Sequence, residues 1–191
     1  MQKIILASTS PRRKDILSLI KVPFDIVASD YEEDMSLDMS PTDLVKYLSW
    51  GKADAVAKHH SESIVIGADT IVVCEGKIFG KPKDEKEAVH MLQTISDKKI
   101  EVVTGIALIH QDKKKKISEA WVTDIYMKSI SLESAKRYVA TGEPLDKAWA
   151  FIPQWIWSIY VDHIEWDYLN ALWLPLYRVI DHLEEMGVKF L

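Results

Sequence analysis

The chain has 191 residues, enough for a single domain of one or two lobes with a substantial core. Apolar residues make up 48% and charged ones 28%, the balance of a soluble globular protein, and the net charge of −5 excludes a general nucleic-acid binder, so any basic site is local. No apolar run reaches membrane-spanning length, no signal-peptide pattern is present, and one cysteine, Cys74, excludes an internal disulfide; a cytoplasmic enzyme or binding protein is expected.

The first predicted strand, Lys3–Ala7, runs through a small-residue turn into a helix. Ser10 reads as its N-cap, and Pro11 suits the first helical position, where a missing N–H costs nothing. Arg12 and Arg13 then fall in the first turn, where the helix dipole favours acids over cations. Two positive charges at a positive helix end make sense where an anion binds. Free backbone N–H groups, the Ser8 and Ser10 hydroxyls and both guanidiniums would then compose a phosphate cradle. The bland alternative is a solvated arginine pair on a surface helix. A second strand, Phe24–Ala28, leads into the acidic loop Asp30–Asp34, whose Glu32 and Glu33 are either solvated or a source of hard oxygen ligands for magnesium.

Ser40-Pro41-Thr42-Asp43 opens a helix that reaches about Lys58. Lys52 starts from its apolar face, beside Val45, Leu48, Ala55 and Val56, and so either snorkels to water or meets an anion. Two strands follow, Ser63–Gly67 and Thr70–Cys74, with Asp69 interrupting an otherwise apolar run and Cys74 expected in the core. A carboxylate there is costly unless paired, hydrogen-bonded or metal-bound. It reads either as the corner of a tight turn helped by Gly67 and Thr70, or as a general base or magnesium ligand at a strand end.

Further on, Gly80-Lys81-Pro82 offers a glycine for close backbone approach and a lysine held by a rigid proline. Asp84 and Glu87 make a capping box for a helix to about Ile95. Strands Glu101–His110 and Ser118–Ser129 flank Lys113–Lys116, which reads as a solvated hairpin loop. Ser131 starts a helix to about Ala140, Ser158–Ile164 is strand-like, and Pro175 opens a last helix, Leu176 to about Met186, closed by Gly187. Helices interspersed with long adjacent strands predict an α/β or α+β domain built on a mixed sheet. The separated cations Arg12, Arg13, Lys52 and Lys81 and the acids Glu33 and Asp69 suit a polyphosphate with a divalent metal. P-loop and dinucleotide glycine fingerprints are missing, and the histidines lack zinc-ligand spacing.

On the motifs Ala7-Ser-Thr-Ser-Pro-Arg-Arg13, Gly67-Ala-Asp-Thr70, Gly80-Lys-Pro82, Val103-Thr-Gly105, Gly142-Glu-Pro-Leu-Asp-Lys-Ala148 and Leu174-Pro-Leu176, the chain resembles the Maf family of nucleoside triphosphate pyrophosphatases over essentially its whole length. The resemblance implies one Maf-like domain over 1–191: an α/β fold with a mixed sheet flanked by helices and two lobes about a central cleft, similar to the inosine-triphosphate pyrophosphatases. It implies hydrolysis of a nucleoside triphosphate between the α- and β-phosphates with Mg2+ or another divalent metal, dTTP and UTP being the preferred substrates and methylated guanine nucleotides the other branch. Carried over, Asp69 would accept the proton of the attacking water. Arg12, Thr70 and Gln154 match positions linked to substrate choice. Arg13, Lys52 and Lys81 would neutralise phosphate charge, and Glu33, with Asp69, would hold the metal or the water. The implied partner is the nucleotide, without nucleic acid or membrane; a homodimer is left open.

One segment departs from the family pattern. Where glycines are expected, the text reads Trp149-Ala-Phe-Ile-Pro-Gln-Trp155-Ile-Trp157, with Trp166 and Trp173 further on, and no glycine stands between Gly142 and Gly187. A tryptophan forced into a left-handed backbone costs roughly 1–2 kcal/mol, and overpacking adds about 1–3 kcal/mol. Three readings follow: the indoles stack on a nucleobase, they form a cluster or subunit interface, or the segment is altered or engineered and the inherited function belongs to a parent sequence. The corresponding functional alternative to an active enzyme is a catalytically impaired nucleotide-binding protein whose cleft the Trp-rich segment obstructs. The family's link to septum formation leaves a regulatory role open.

Overall fold

The structure is a computed structural model and describes residues 2–34, 37–80, 82–142 and 155–190. Lys81, Trp149 and Gln154 lie outside the described residues, as do the side chains of Trp155 and Trp157. The elements in chain order are β1 (Ile4–Leu6), α1 (Pro11–Ser18), β2 (Asp25–Ile26), α2 (Pro41–Ala57), β3 (Ile64–Cys74), β4 (Lys77–Ile78), α3 (Glu85–Ile95), β5 (Lys99–His110), β6 (Lys115–Met127), α4 (Leu132–Val139), a 3-10 helix (Trp155–Tyr160), β7 (Val161–Glu165), α5 (Tyr168–Ala171) and α6 (Leu176–Glu185).

The strands form one seven-stranded mixed sheet in the order β2-β1-β3-β5-β6-β7, with β4 paired to β3. β1 runs parallel to β2 and to β3, while β4 on β3 and β7 on β6 are antiparallel. Ile4, Ile5 and Leu6 are all fully buried, the continuous apolar run expected of a parallel strand covered on both faces. The expected mixed sheet with flanking helices is present, but one detail is corrected. Ser63–Gly67 and Thr70–Cys74 are not two strands around a turn; they are the single strand β3. Gly67 is there for packing: a Cβ on it would collide with the Ser49 carbonyl and with Ala53 of α2. Gly105 of β5 serves the same purpose against the Val45 carbonyl. The predicted lysine loop also shrinks, because Lys115 and Lys116 already belong to β6.

The chain divides into two compact units. The first comprises Met1–Thr70, Val103–Trp121 and Trp173–Leu191. Its core joins Ile5 and Ala7 of β1, Ala53, Val56 and Ala57 of α2, Val65 of β3, and Ala107 and Ile109 of β5. Ser40 caps α2 by accepting the Asp43 amide proton at 3.2 Å. The second unit comprises Ile71–Val102 and Val122–Leu172. There α3 packs against α4, and each carries the expected cap: Asp84 accepts from the Glu87 amide at 2.8 Å and Ser131 from the Ser134 amide at 3.2 Å. Cys74 is buried in this unit, and that burial pushes its thiol pKa up, as expected for a packing residue. Among the described residues no helix is long and apolar enough to cross a membrane.

Two tryptophans carry the backbone signature foreseen for the Trp-rich segment. Trp166 has φ +88° and Trp173 has φ +90°, both in the region that favours glycine.

Candidate active site

The turn from β1 into α1 holds the first part of the site. Ser10 does not cap α1 with its side chain, contrary to expectation; the Ser8 hydroxyl instead accepts the Ser10 N–H at 3.3 Å. The first-turn amides of α1 thus have no side-chain cap, as suits an anion-binding helix start. Arg13 is not a solvated surface arginine. It is 7% exposed, donating from Nε to the Trp173 carbonyl (3.2 Å), from Nη1 to Ser8 Oγ (3.4 Å) and from Nη2 to Thr70 Oγ1 (3.0 Å). All three acceptors are neutral. Burial lowers the Arg13 pKa, while the nearby charges of Asp69 and Glu33 pull it back up. Arg12 lies over the Trp173 ring, its guanidinium carbon 4.0 Å from the centroid, and burial together with the Arg13 charge lowers its pKa.

Lys52 and Asp69 form the second part. Lys52 projects from α2 and does not snorkel to water: its ammonium reaches Asp69 Oδ1 at 2.5 Å and Glu33 Oε1 at 2.7 Å. The Lys52 and Asp69 side chains are only 12% and 10% exposed, and that of Glu33 is 45% exposed. Asp69 is therefore neither a turn residue nor at a strand end; it sits inside β3, at a point where the strand's burial is broken by Thr70. A buried carboxylate tolerates this position because an ammonium neutralises it. Thr70 Oγ1, beside it, lies 3.1 Å from Thr104 Oγ1 of β5.

A cavity of about 360 Å3 opens at this end of the first unit, lined among others by Ser8, Ser10, Arg13, Tyr31, Glu33 and Lys52. Arg12, Asp69 and Thr70 do not line it, although Asp69 is ion-paired to Lys52 and Thr70 is bonded to Arg13, which do. Tyr31 was not foreseen as a site residue. Its ring lies against Gly51, where a Cβ would overlap it, and meets Tyr47 edge-on at 6.4 Å. Burial first, then the Tyr47 contact and the charges of Asp34 and Glu33, push its phenol pKa up to about 12. The signal in the sequence was Gly51 itself, a glycine inside a helix directly before Lys52. At Gly80, no atom of the described residues lies within 4 Å of a Cβ built there.

Two carboxylate oxygens, of Glu33 and Asp69, converge on one cation position now filled by the Lys52 ammonium. Magnesium is commonly bound by one or two carboxylates together with substrate phosphates, so this donor set fits such an ion. Among the described residues no group of three or more His, Cys, Asp and Glu makes an all-protein metal cage. Here, then, is an α/β protein whose strand-to-helix turn and neighbouring helix gather cations and hydroxyls around paired acids, the makings of a phosphate-handling site.

Comparison with known proteins places it more narrowly. A family model described as Maf-like protein matches residues 3–186, and the chain belongs to the Maf family. It is 45% identical over 188 residues to the dTTP/UTP pyrophosphatase of Bacillus cereus (strain AH187), covering 98% of this chain and 97% of that one. It is likewise 45% identical over 185 residues to the dTTP/UTP pyrophosphatase of Bacillus cytotoxicus, covering 97% and 96%. Among solved structures, the Ham1 protein of Staphylococcus aureus superposes with a TM-score of 0.56 at 13% identity, and the HAM1 protein of Coxiella burnetii with 0.52 at 14%, each covering 97% of this chain and 100% of the other. At that identity the likeness is one of fold.

Proposed function

We propose that this chain is a nucleoside triphosphate pyrophosphatase that takes dTTP and UTP. Its relatives carry that name at 45% identity over nearly the full length. The observation that carries the reading is the Asp69–Lys52–Glu33 triplet next to the buried Arg13 guanidinium at the start of α1. A binding protein needs the cations; a hydrolase also needs an acid held ionised in a poorly solvated place.

Asp69, ion-paired to Lys52, accepts a proton from water. The water oxygen bonds to the α-phosphorus, the bond from that phosphorus to the bridging oxygen breaks, and pyrophosphate leaves with the bonding pair. Arg13 and Lys52 stabilise the charge that grows on the departing oxygens, with Ser8, Ser10 and the uncapped amides of α1 as further donors. Glu33 and Asp69 would hold a divalent metal, which when bound supplies charge neutralisation on the phosphates. Thr70 orients Arg13 through its hydroxyl. Lys81 and Gln154 remain assigned by motif alone, as a phosphate ligand and a selectivity residue.

The test is a coupled pyrophosphate assay over dTTP, UTP, CTP and GTP with and without magnesium. Release from dTTP and UTP, with little from the others and none without metal, supports the reading. Binding of every nucleotide with no release of pyrophosphate favours instead an impaired nucleotide-binding protein, a reading that rests on the tryptophan found against Arg12.

A further inference from the structure

Trp173 holds a conformation its side chain disfavours, and the surroundings say why it is kept. Its φ of +90° belongs to glycine, and a tryptophan adopts it at a cost in backbone strain. The Trp173 carbonyl accepts from Arg13 Nε at 3.2 Å and from the Thr70 hydroxyl at 3.5 Å. Any residue, glycine included, supplies that carbonyl. The indole does what glycine cannot: it lies under the Arg12 guanidinium, 4.0 Å from centroid to carbon, within the range of a cation–π contact.

Held there, Arg12 keeps one buried nitrogen, Nη1, without a hydrogen-bond partner among the described residues. A buried unpaired donor in a native protein calls for an explanation, and an absent acceptor is the simplest. Lysine at this position would not serve, because only a planar guanidinium stacks on a ring and still offers an edge of donors.

We propose that the Trp173 indole is a positioning residue that locks the Arg12 guanidinium against its face, ready for an oxygen acceptor of the nucleotide. The proposal rests on the nucleoside triphosphate reading above. It gives one of the unexpected tryptophans a use in binding rather than obstruction. The acceptor is a carbonyl of a pyrimidine base or an oxygen of the phosphate chain.

The experiment compares wild type, Trp173→Gly and Trp173→Phe by kcat and KM for UTP and by calorimetric binding of UTP and CTP, with thermal melts as a check on folding. Glycine suits φ +90° and keeps the carbonyl, so W173G folds. Its KM for UTP rises about tenfold, more than its kcat falls, and W173F restores KM because a benzene ring still offers a face. A loss for UTP alone assigns the acceptor to the C4 carbonyl that cytosine lacks, and an equal loss for UTP and CTP assigns it to the C2 carbonyl or the phosphates, which both nucleotides share; both support the clamp. An unchanged KM in W173G, or W173F as weak as W173G, overturns it. If wild type releases no pyrophosphate at all, the pyrophosphatase reading falls separately, and the clamp is judged on UTP binding by calorimetry. Binding about tenfold weaker in W173G and restored in W173F upholds it, and equal binding in all three refutes it.

Discussion

The two units of the chain bury polar groups in opposite ways. In the first, the buried polar groups include charged ones: Arg13 and Asp69 are each 7% exposed, and Lys52 reaches Asp69 from α2. In the second, the buried polar residues Asn170 and Thr123 are neutral: Asn170 donates from Nδ2 to Thr123 Oγ1 at 2.9 Å and to the Val102 carbonyl at 3.3 Å, and Thr123 donates to the Asp167 carbonyl at 3.1 Å. A neutral network fixes a fold cheaply, whereas buried charge is a poor way to gain stability. The buried charges of the first unit are therefore best explained by chemistry, and the neutral buried pair of the second by packing.

The sharpest way to break this contrast is to remove a cation from the first unit. Lys52→Met lowers kcat at least about a hundredfold, the size expected when a charge that stabilises departing oxygens is lost. Steady-state pyrophosphate release measures it; near-normal turnover would make Lys52 a structural counter-ion only. The matching change in the second unit is Asn170→Leu. It leaves kcat/KM alone and costs about 1–3 kcal/mol in urea denaturation, because Thr123 and the Val102 carbonyl lose a buried partner.

A pH experiment sharpens the contrast within the first unit. His110 of β5 is buried, and burial, with the charge of Lys113, lowers its pKa from 6.5. The unfolded chain then takes up a proton that the folded chain resists, so this group's stability is present above pH 6.5 and is lost as pH falls toward the lowered value. Denaturation midpoints at pH 7.5 and about 5.5 check this; His110→Gln flattens the slope. The smallest effect separates the two strained tryptophans. Trp166 shares the positive φ but is 77% exposed. Trp166→Gly relieves roughly 1–2 kcal/mol of backbone strain against about 0.5–1 kcal/mol of added chain entropy, a net gain visible as a slightly higher melting temperature.

Much of this was legible before any coordinates. Caps at Ser40, Asp84 and Ser131 announce α2, α3 and α4 through local hydrogen bonds that a sequence states directly. Arg12 and Arg13 at a helix start, and Lys52 on an apolar helix face, each violate a local rule, and such violations mark functional places. What the text hid was non-local. Asp69 looked like a turn corner because its partner, Lys52, is 17 residues away on another element. Gly67 and Gly80 look alike in sequence, yet one is pressed against α2 and the other meets no atom of the described residues. Tyr31 drew no notice because an aromatic in an acidic loop says nothing until the ring is seen on Gly51.

The central claim is that Asp69 takes the proton of the attacking water while the surrounding cations hold the nucleotide. Asp69→Asn tests it most directly, with UTP turnover and UTP binding measured on the same preparation. The account predicts kcat reduced at least about a hundredfold with binding kept within about threefold. Turnover near that of the wild type in a variant that still binds UTP would contradict it.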